Sequence, residues 1–201
     1  MDLSPVNILY LVDFMKYQPL KDYLKTDVPP VIVGDGKAKA MVNVFHQYLP
    51  RLNRRDLRDI LDDIDAGVGP DETKLAEEVL ALLCGGVYTR TGGNWQDFSN
   101  GDDCKTCSVN ENTRAMTIRS VQHKTGALRV IIYNPFKKHL DFMYIPLDAW
   151  KPLARPDGGK SYGWRVKVIW NELNDTYGAL DRYRLKTIEE LAMANCFELF
   201  K

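Results

Sequence analysis

The sequence predicts an α+β fold, in which helices flank a central β-sheet and a helical N-terminal region precedes it. Three observations support this prediction. Apolar residues follow a helical period up to about residue 66, short β-branched and aromatic runs come next, and a helical period returns near the C-terminus. The chain has 201 residues, 45% of them hydrophobic, which is enough for one domain with a sizeable core. We therefore expect a single domain over residues 1–201.

Helical patterns dominate the N-terminal part of this domain, residues 1–66. Apolar residues recur every three or four positions in three segments, which are Val6–Tyr17, Lys37–Leu49 and Arg55–Ile64. The predicted core, residues 67–150, begins with a fourth helix. Pro70 followed by two acidic residues is typical of a helix start, and a pair of glycines ends the run KLAEEVLALL.

Five short runs typical of β-strands follow that helix, and Gly, Asn and Asp residues separate them. They are VYTRT, DDCKTCSV, MTIRSVQHK, LRVIIYN and LDFMYIPL. Consecutive strands joined by short connections predict a largely antiparallel, meander-like sheet, with LRVIIYN as a central strand. In the C-terminal part, residues 151–201, we predict a polar loop over Ala154–Arg165 and helices over Asn171–Ala179 and Thr187–Leu199.

The composition excludes several classes of protein. No stretch is apolar enough to cross a membrane, and the N-terminal residues lack the basic start of a secretory signal, so we expect a soluble cytoplasmic protein. Four scattered cysteines are too few for a disulfide scaffold. The net formal charge is zero, which argues only weakly against nucleic-acid binding, because positive charges can cluster on one part of the surface.

The segment NWQDFSNGDDCKTCSV, residues 94–109, contains the clearest catalytic pattern. Side chains alternate along a strand, so Asp103 and Lys105 are expected on one face, and a preceding turn can bring Asp97 to the same face. Two carboxylates recruit Mg²⁺, which activates a bound water, and a lysine can orient that water or help to deprotonate it. The alternative is that Asp102 and Asp103 cap a turn and Lys105 is a solvated strand residue.

This arrangement resembles the PD-(D/E)xK nuclease superfamily, which includes type II restriction endonucleases. The family pattern is an acid, a short gap and then acid-x-Lys on the next strand, and Asp97, Asp103 and Lys105 occupy these positions. QDFSNGDDCKTCSV is also similar to the catalytic stretch of the mismatch-repair nicking enzyme MutH. Gln96 replaces the usual proline, and an aspartate replaces the commoner glutamate before x-Lys. The resemblance covers Thr73–Trp150 and implies a restriction-endonuclease-like fold with a central mixed β-sheet.

The resemblance also implies an acidic residue on the helix before the catalytic strand. Glu77 and Glu78 lie in that helix about 100° apart, so only one of them is expected to face the site. We assign Glu77 to the site, where it supports the metal ligands Asp97 and Asp103. The implied cofactor is Mg²⁺, with Mn²⁺ as a substitute.

The function that the resemblance implies is Mg²⁺-dependent hydrolysis of DNA phosphodiester bonds. Its most concrete form is a type II restriction endonuclease that cuts double-stranded DNA at a specific site as a homodimer. One alternative is a nicking, repair or phage-encoded nuclease of the same fold. The other is a non-catalytic DNA-binding or protein-interaction module that retains the fold.

Polar residues outside this constellation are candidates for DNA contacts, although each also suits an ordinary solvated surface. They are Asn110, Asn112, Arg114, Gln122, Lys124, Arg155 and Lys160. The basic run RLNRRDLR can either grip phosphates or pair with neighbouring aspartates on a helix face. The motif Cys104-Lys-Thr-Cys107 lies in a strand pattern without a second cysteine pair, so we expect core thiols rather than a zinc or redox site.

Overall fold

The computed structural model describes residues 101–158 and 163–194, together with ten isolated positions between 55 and 100. Those positions are 55, 58, 59, 62, 77, 80, 83, 97, 98 and 100. The first two predicted helices, the predicted strand VYTRT and the end of the last predicted helix lie outside these residues. Helical backbone occurs at every described position of the predicted helices 55–64 and 74–83.

The described residues form two β-sheets. The strands are β1 (Asp103–Ser108), β2 (Ala115–Arg119), β3 (Leu128–Asn134), β4 (His139–Ile145), β5 (Arg155–Pro156), β6 (Trp164–Ile169) and β7 (Arg184–Leu185). The first sheet has the order β1-β3-β4-β7, and the second has the order β2-β6-β5. Because β1 runs parallel to β3 while the other pairs are antiparallel, the prediction of a mixed sheet is confirmed.

The prediction of a meander is wrong, because β2 leaves the sheet that β1 and β3 share and pairs with β6 instead. The strand predicted for MTIRSVQHK ends at Arg119, since Ser120 has a left-handed φ of 58° and residues 121–124 form a turn. β5 and the first two residues of β6 lie within Ala154–Arg165, which we predicted to be a loop. The parallel strands β1 and β3 are therefore connected through a strand of the second sheet.

Helices are short in the described part of the chain. They are α1 (Leu147–Trp150), α2 (Ile188–Ala192) and the 3-10 segments Lys151–Leu153 and Gly178–Tyr183. The predicted start of the last helix is confirmed, because the Thr187 hydroxyl accepts a hydrogen bond from the Glu190 backbone N–H. The helix predicted for Asn171–Ala179 is wrong, and a bridge between Asn171 and Thr176 closes a turn there. No helix among the described residues is long and apolar enough to span a membrane.

The two sheets pack against each other over a common apolar core. All seven residues of β3 are buried, as expected for a central strand. Val130 and Ile132 of β3 lie in one buried cluster with Ile118 of β2 and Val166 of β6. Burying a side chain of this size contributes about 1.5–3 kcal/mol, so this core gives the adjoining strand β1 a rigid support.

Gly126 lies where the chain passes closest to the start of β1. A Cβ atom at this position would lie 2.2 Å from the carbonyl oxygen of Gly101. We therefore expect Gly126→Ala to lower the free energy of unfolding by about 1–3 kcal/mol through overpacking, as measured by urea denaturation. Gly158→Ala is the matched control, since no atom of the described residues lies within 4 Å of its added Cβ. Equal losses of unfolding free energy in the two variants would contradict the close approach of Gly126 to the Gly101 carbonyl.

Candidate active site

Asp103 and Lys105 lie at the beginning of β1, where the parallel ladder fixes their positions. The Asp103 N–H donates to the carbonyl of Ala127 at 3.0 Å, and the register places Asp103 beside Leu128 and Lys105 beside Val130. Lys105 Nζ lies 2.6 Å from Asp103 Oδ2, so the two side chains meet on one face of the strand. The alternation of side chains predicted this placement.

Asp97 reaches the same place through a tight turn. The Gly101 N–H donates to the carbonyl of Phe98 at 3.0 Å, which folds the chain back before β1. Asp97 Oδ2 then accepts a hydrogen bond from the Cys104 N–H at 2.7 Å. The structure therefore brings together the three residues that the acid-gap-acid-x-Lys pattern singled out.

Lys124 is a further member of this cluster, and its position differs from the predicted one. Its Nζ lies 2.5 Å from Asp103 Oδ1, and only 3% of the side chain is exposed. We predicted that Lys124 and Gln122 contact DNA, but the two occupy a turn in which Gln122 is exposed and Lys124 is buried. No local pattern indicates this contact, because it joins residues 21 positions apart.

Burial and a neighbouring negative charge control the protonation of Asp97. Burial, followed by the charge of Asp103, raises the pKa of Asp97 from 3.8 to about 6, although the Cys104 N–H and Lys105 oppose this rise. Burial disfavours the charged form of Lys105, but the charges of Asp103, Glu77 and Asp97 raise its pKa overall. The Lys105 side chain therefore remains an ammonium group at neutral pH.

Cys104 lies next to this cluster as a neutral thiol. Burial, and then the charges of Glu77, Asp97 and Asp103, raise its pKa well above 9.0. Cys104 and Cys107 are both buried, and neither forms a disulfide bond within the described residues. A thiolate is the form that binds zinc and attacks disulfides, so the expectation of core thiols agrees with the surroundings of Cys104.

The donor set suits a small hard cation held by two carboxylates. Asp103 is 1% exposed, and its Oδ2 has no hydrogen-bond donor among the described residues, since Lys105 approaches it without hydrogen-bond alignment. Burial, followed by the charge of Asp103, raises the pKa of the neighbouring Asp97 carboxyl to about 6, and a bound cation would favour its charged form. One or two carboxylates are the usual protein ligands of Mg²⁺. The described residues contain no cluster of three or more acidic, histidine or cysteine ligands.

An open polar cleft of about 430 Å³ runs beside this cluster, along β1 and β2. Lys105 and Glu77 line one part of it, and Asn110, Thr117 and Arg119 line another. Glu77 has helical backbone and a partly buried side chain. The structure thus places Glu77 at the cleft, close enough for its charge to act on Lys105.

The other candidates for DNA contacts have varied surroundings. Asn110 borders the cleft, but its Oδ1 accepts from the N–H groups of Asn112 and Thr113 and so closes a turn. The Arg114 guanidinium lies 3.6 Å from the ring centroid of Phe136 and pairs with Glu172 at 3.2 Å. Asn112, Gln122 and Arg155 are exposed, and Lys160 lies outside the described residues.

Asp102 has a structural role that the turn-capping interpretation predicts only in part. Its Oδ1 accepts from the Ala127 N–H at 3.1 Å, whereas its Oδ2 accepts from Arg129 Nε at 3.0 Å. The same guanidinium donates to the carbonyls of Leu191 at 2.6 Å and Ala192 at 2.9 Å. Arg129 therefore connects the residue before Asp103 to the C-terminal end of α2, where a cation is favoured.

The raised pKa of Asp97 predicts a dependence of stability on pH. An acid whose pKa rises from 3.8 to about 6 binds its proton more tightly in the folded state than in the unfolded state. The free energy of unfolding of the wild-type protein should therefore fall as the pH rises from 3.8 to about 6. Asp97→Asn removes the titrating group, so this part of the fall should be absent from the variant. Urea denaturation across this range measures it, with Asp148→Asn in the exposed first turn of α1 as control. Parallel pH profiles for wild type and Asp97→Asn would contradict the assignment.

Comparison with known proteins assigns the chain to no family, because no protein-family model and no curated protein matches its sequence. Two adjacent carboxylates, two lysines and a polar cleft are therefore the observations on which a function for this chain rests.

Proposed function

We propose that the protein is a Mg²⁺-dependent DNA endonuclease that hydrolyses phosphodiester bonds at Asp97, Asp103 and Lys105. The observation that carries this proposal is the convergence of the Asp97 carboxyl and the Lys105 ammonium group on Asp103, beside an open cleft. The spacing resembles the PD-(D/E)xK pattern, and the mixed sheet that carries Asp103 agrees with a restriction-endonuclease-like fold.

Asp97 and Asp103 are the residues that would hold the metal ion. Bound there, Mg²⁺ would polarise a phosphate oxygen and lower the pKa of a bound water. Asp97 must lose its proton to become a ligand, so we expect metal binding to weaken below about pH 6. Mn²⁺ is expected to substitute, because carboxylate ligands also suit that ion.

Lys105 contributes as a fixed positive charge. Its raised pKa keeps it protonated, so it donates hydrogen bonds rather than accepting the proton of the attacking water. A cation at this position stabilises negative charge that develops on the phosphate oxygens. Lys124 acts on Asp103 rather than on DNA, because it holds Oδ1 and so orients the carboxylate with Oδ2 towards Lys105.

The experiment that tests this function is incubation of the full chain with supercoiled plasmid and phage DNA in Mg²⁺, Mn²⁺ or EDTA. Discrete linear fragments in Mg²⁺ alone or Mn²⁺ alone, and none in EDTA, support a type II restriction endonuclease. Open circles without linear product support a nicking or repair enzyme of the same chemistry. Intact DNA under every condition would refute the nuclease.

One observation favours the non-catalytic alternative. Asp103 is almost fully buried and already faces two lysines, an arrangement that neutralises the carboxylate without a metal ion. Isothermal titration with Mg²⁺ and Mn²⁺ separates the two functions. If the wild-type protein binds either ion and Asp97→Asn does not, the enzyme is supported. If the wild-type protein binds neither ion, a DNA-binding or interaction module is supported.

A further inference from the structure

We infer that the outer face of the second sheet binds the phosphate backbone of double-stranded DNA and delivers it to the cleft beside Lys105. This inference rests on the proposed nuclease function for the choice of DNA as the ligand. The surface, termed here the arginine row, consists of Arg119, Arg165 and Arg155, with Lys167 beside it.

The register of the second sheet creates this row. Arg119 of β2 is paired directly with Arg165 of β6, and Arg165 is paired with Arg155 of β5. Residues paired across strands point to the same face, and neighbouring strands lie about 4.8 Å apart, so the row spans roughly 10 Å. Lys167 is two residues along β6 and therefore on the same face. Its side chain is exposed, as are those of Arg119 and Arg155.

Asp157 organises two arginines of the row. Arginines directly opposite each other repel, and Asp157 lies between them, with Oδ2 3.2 Å from Arg119 Nε and Oδ1 3.2 Å from Arg165 Nη1. The Asp157 side chain is 8% exposed, whereas that of Arg119 is 52% exposed. The Arg119 and Arg165 guanidinium groups are therefore held side by side at the surface. Arg155 Nη1 is held separately, because it donates to the carbonyls of Pro152 and Ala154 at 2.7 Å.

The row continues into the cleft of the proposed active site. Arg119 lines that cleft together with Lys105, although the two residues belong to different sheets. A row of arginines beside the proposed active site can bind successive phosphates of DNA and so hold the duplex in place while one phosphodiester bond is cut. Planar guanidinium groups also match phosphate geometry. The zero net charge of the chain does not oppose this role, because the three arginines and Lys167 lie on one face of the second sheet.

The test measures binding of the full-length protein to a fluorescein-labelled 30-base-pair DNA duplex in EDTA and in Ca²⁺, over a range of NaCl concentrations. The variant Arg119→Ala/Lys167→Ala removes two cations from the row. Arg182→Ala/Lys186→Ala is the matched control, since it removes one arginine and one lysine from exposed positions beside β7, at the opposite edge of the first sheet. Lys167→Ala alone is a second variant, because Lys167 has no ion pair in the described part of the chain.

The expected result follows from counterion release. Each lost phosphate contact reduces the slope of log K against log[NaCl] by about 0.9, so the double variant should lose about 1.8 and bind roughly 60-fold more weakly at 0.1 M NaCl. Lys167→Ala should reduce this slope by about 0.9, and the control variant should have the slope and the affinity of the wild-type protein.

Three results would overturn the inference: equal losses in the row variant and the control, no binding of duplex DNA by wild type, or tighter binding of single-stranded RNA than of duplex DNA. Failure of the nuclease is separate, because it appears as intact plasmid in Mg²⁺ whatever the duplex affinity.

Discussion

Replacing Lys105 with methionine is expected to slow Mg²⁺-dependent plasmid cleavage by about 10²–10³-fold, the usual effect of removing one preorganised charge from a transition state. The fold should survive, since Asp103 keeps its hydrogen bond from Lys124 and Lys105 is 21% exposed. Lys105 is a better test than Asp103, because Asp103→Ala would leave the buried ammonium of Lys124 without its carboxylate.

Two further variants make this prediction specific to the charge at position 105. Lys105→Arg keeps the charge and should retain more activity than Lys105→Met. Lys186→Met removes an exposed lysine beside β7 and should cleave at the wild-type rate. Initial rates of plasmid conversion and thermal melting curves measure activity and folding side by side. Wild-type cleavage by a well-folded Lys105→Met protein would exclude Lys105 from the reaction.

Replacing Arg129 with methionine is expected to lower the free energy of unfolding by about 3–5 kcal/mol, because it leaves a buried carboxylate without its partner. Asp102 is 4% exposed, and Arg129 is the cation that pairs with it. Burial already raises the pKa of Asp102 even with the guanidinium in place. The variant also removes the donors to the Leu191 and Ala192 carbonyls.

Urea denaturation provides the measurement, and a double variant identifies the cause. Asp102→Asn/Arg129→Met should recover part of the loss, since the amide oxygen can still accept from the Ala127 N–H and no buried charge remains. Arg182→Met is the control, because Arg182 is exposed and a change of less than about 0.5 kcal/mol is typical there. A loss below about 1 kcal/mol in Arg129→Met would show that water, rather than Arg129, solvates Asp102.

Strands β1, β3 and β4 of the first sheet and the meeting of Asp97, Asp103 and Lys105 were predictable because they depend on short-range patterns, whereas the two-residue strand β7 was not predicted. DDCKTCSV and LRVIIYN have the β-branched and apolar character of strands, and alternation places Asp103 and Lys105 on one face. β6 had a usable signal that we missed, since Val166 and Val168 alternate with polar neighbours and are buried.

Other features depend on partners distant in the sequence. Lys124 and Arg129 look like ordinary charged residues until the β1–β3 pairing brings them to Asp103 and Asp102. The arginine row requires the register of β2 with β6, which no local pattern specifies. The helix predicted for Asn171–Ala179 was wrong because Asn side chains compete for backbone N–H groups, as in the contact from Leu173 N–H to Asn171 Oδ1.

The connection of β1 to β3 through the second sheet determines when the site can assemble during synthesis. In the described part of the chain, β2 pairs with β6 and Arg129 binds the end of α2, and both of these elements are made after β3. The ribosome needs on the order of 5–20 s to add the residues between Lys105 and α2. A nascent chain therefore exposes the turn between Asp97 and Asp103 well before Arg129 can fix it to α2. We expect nuclease activity to appear only after α2 has left the ribosome.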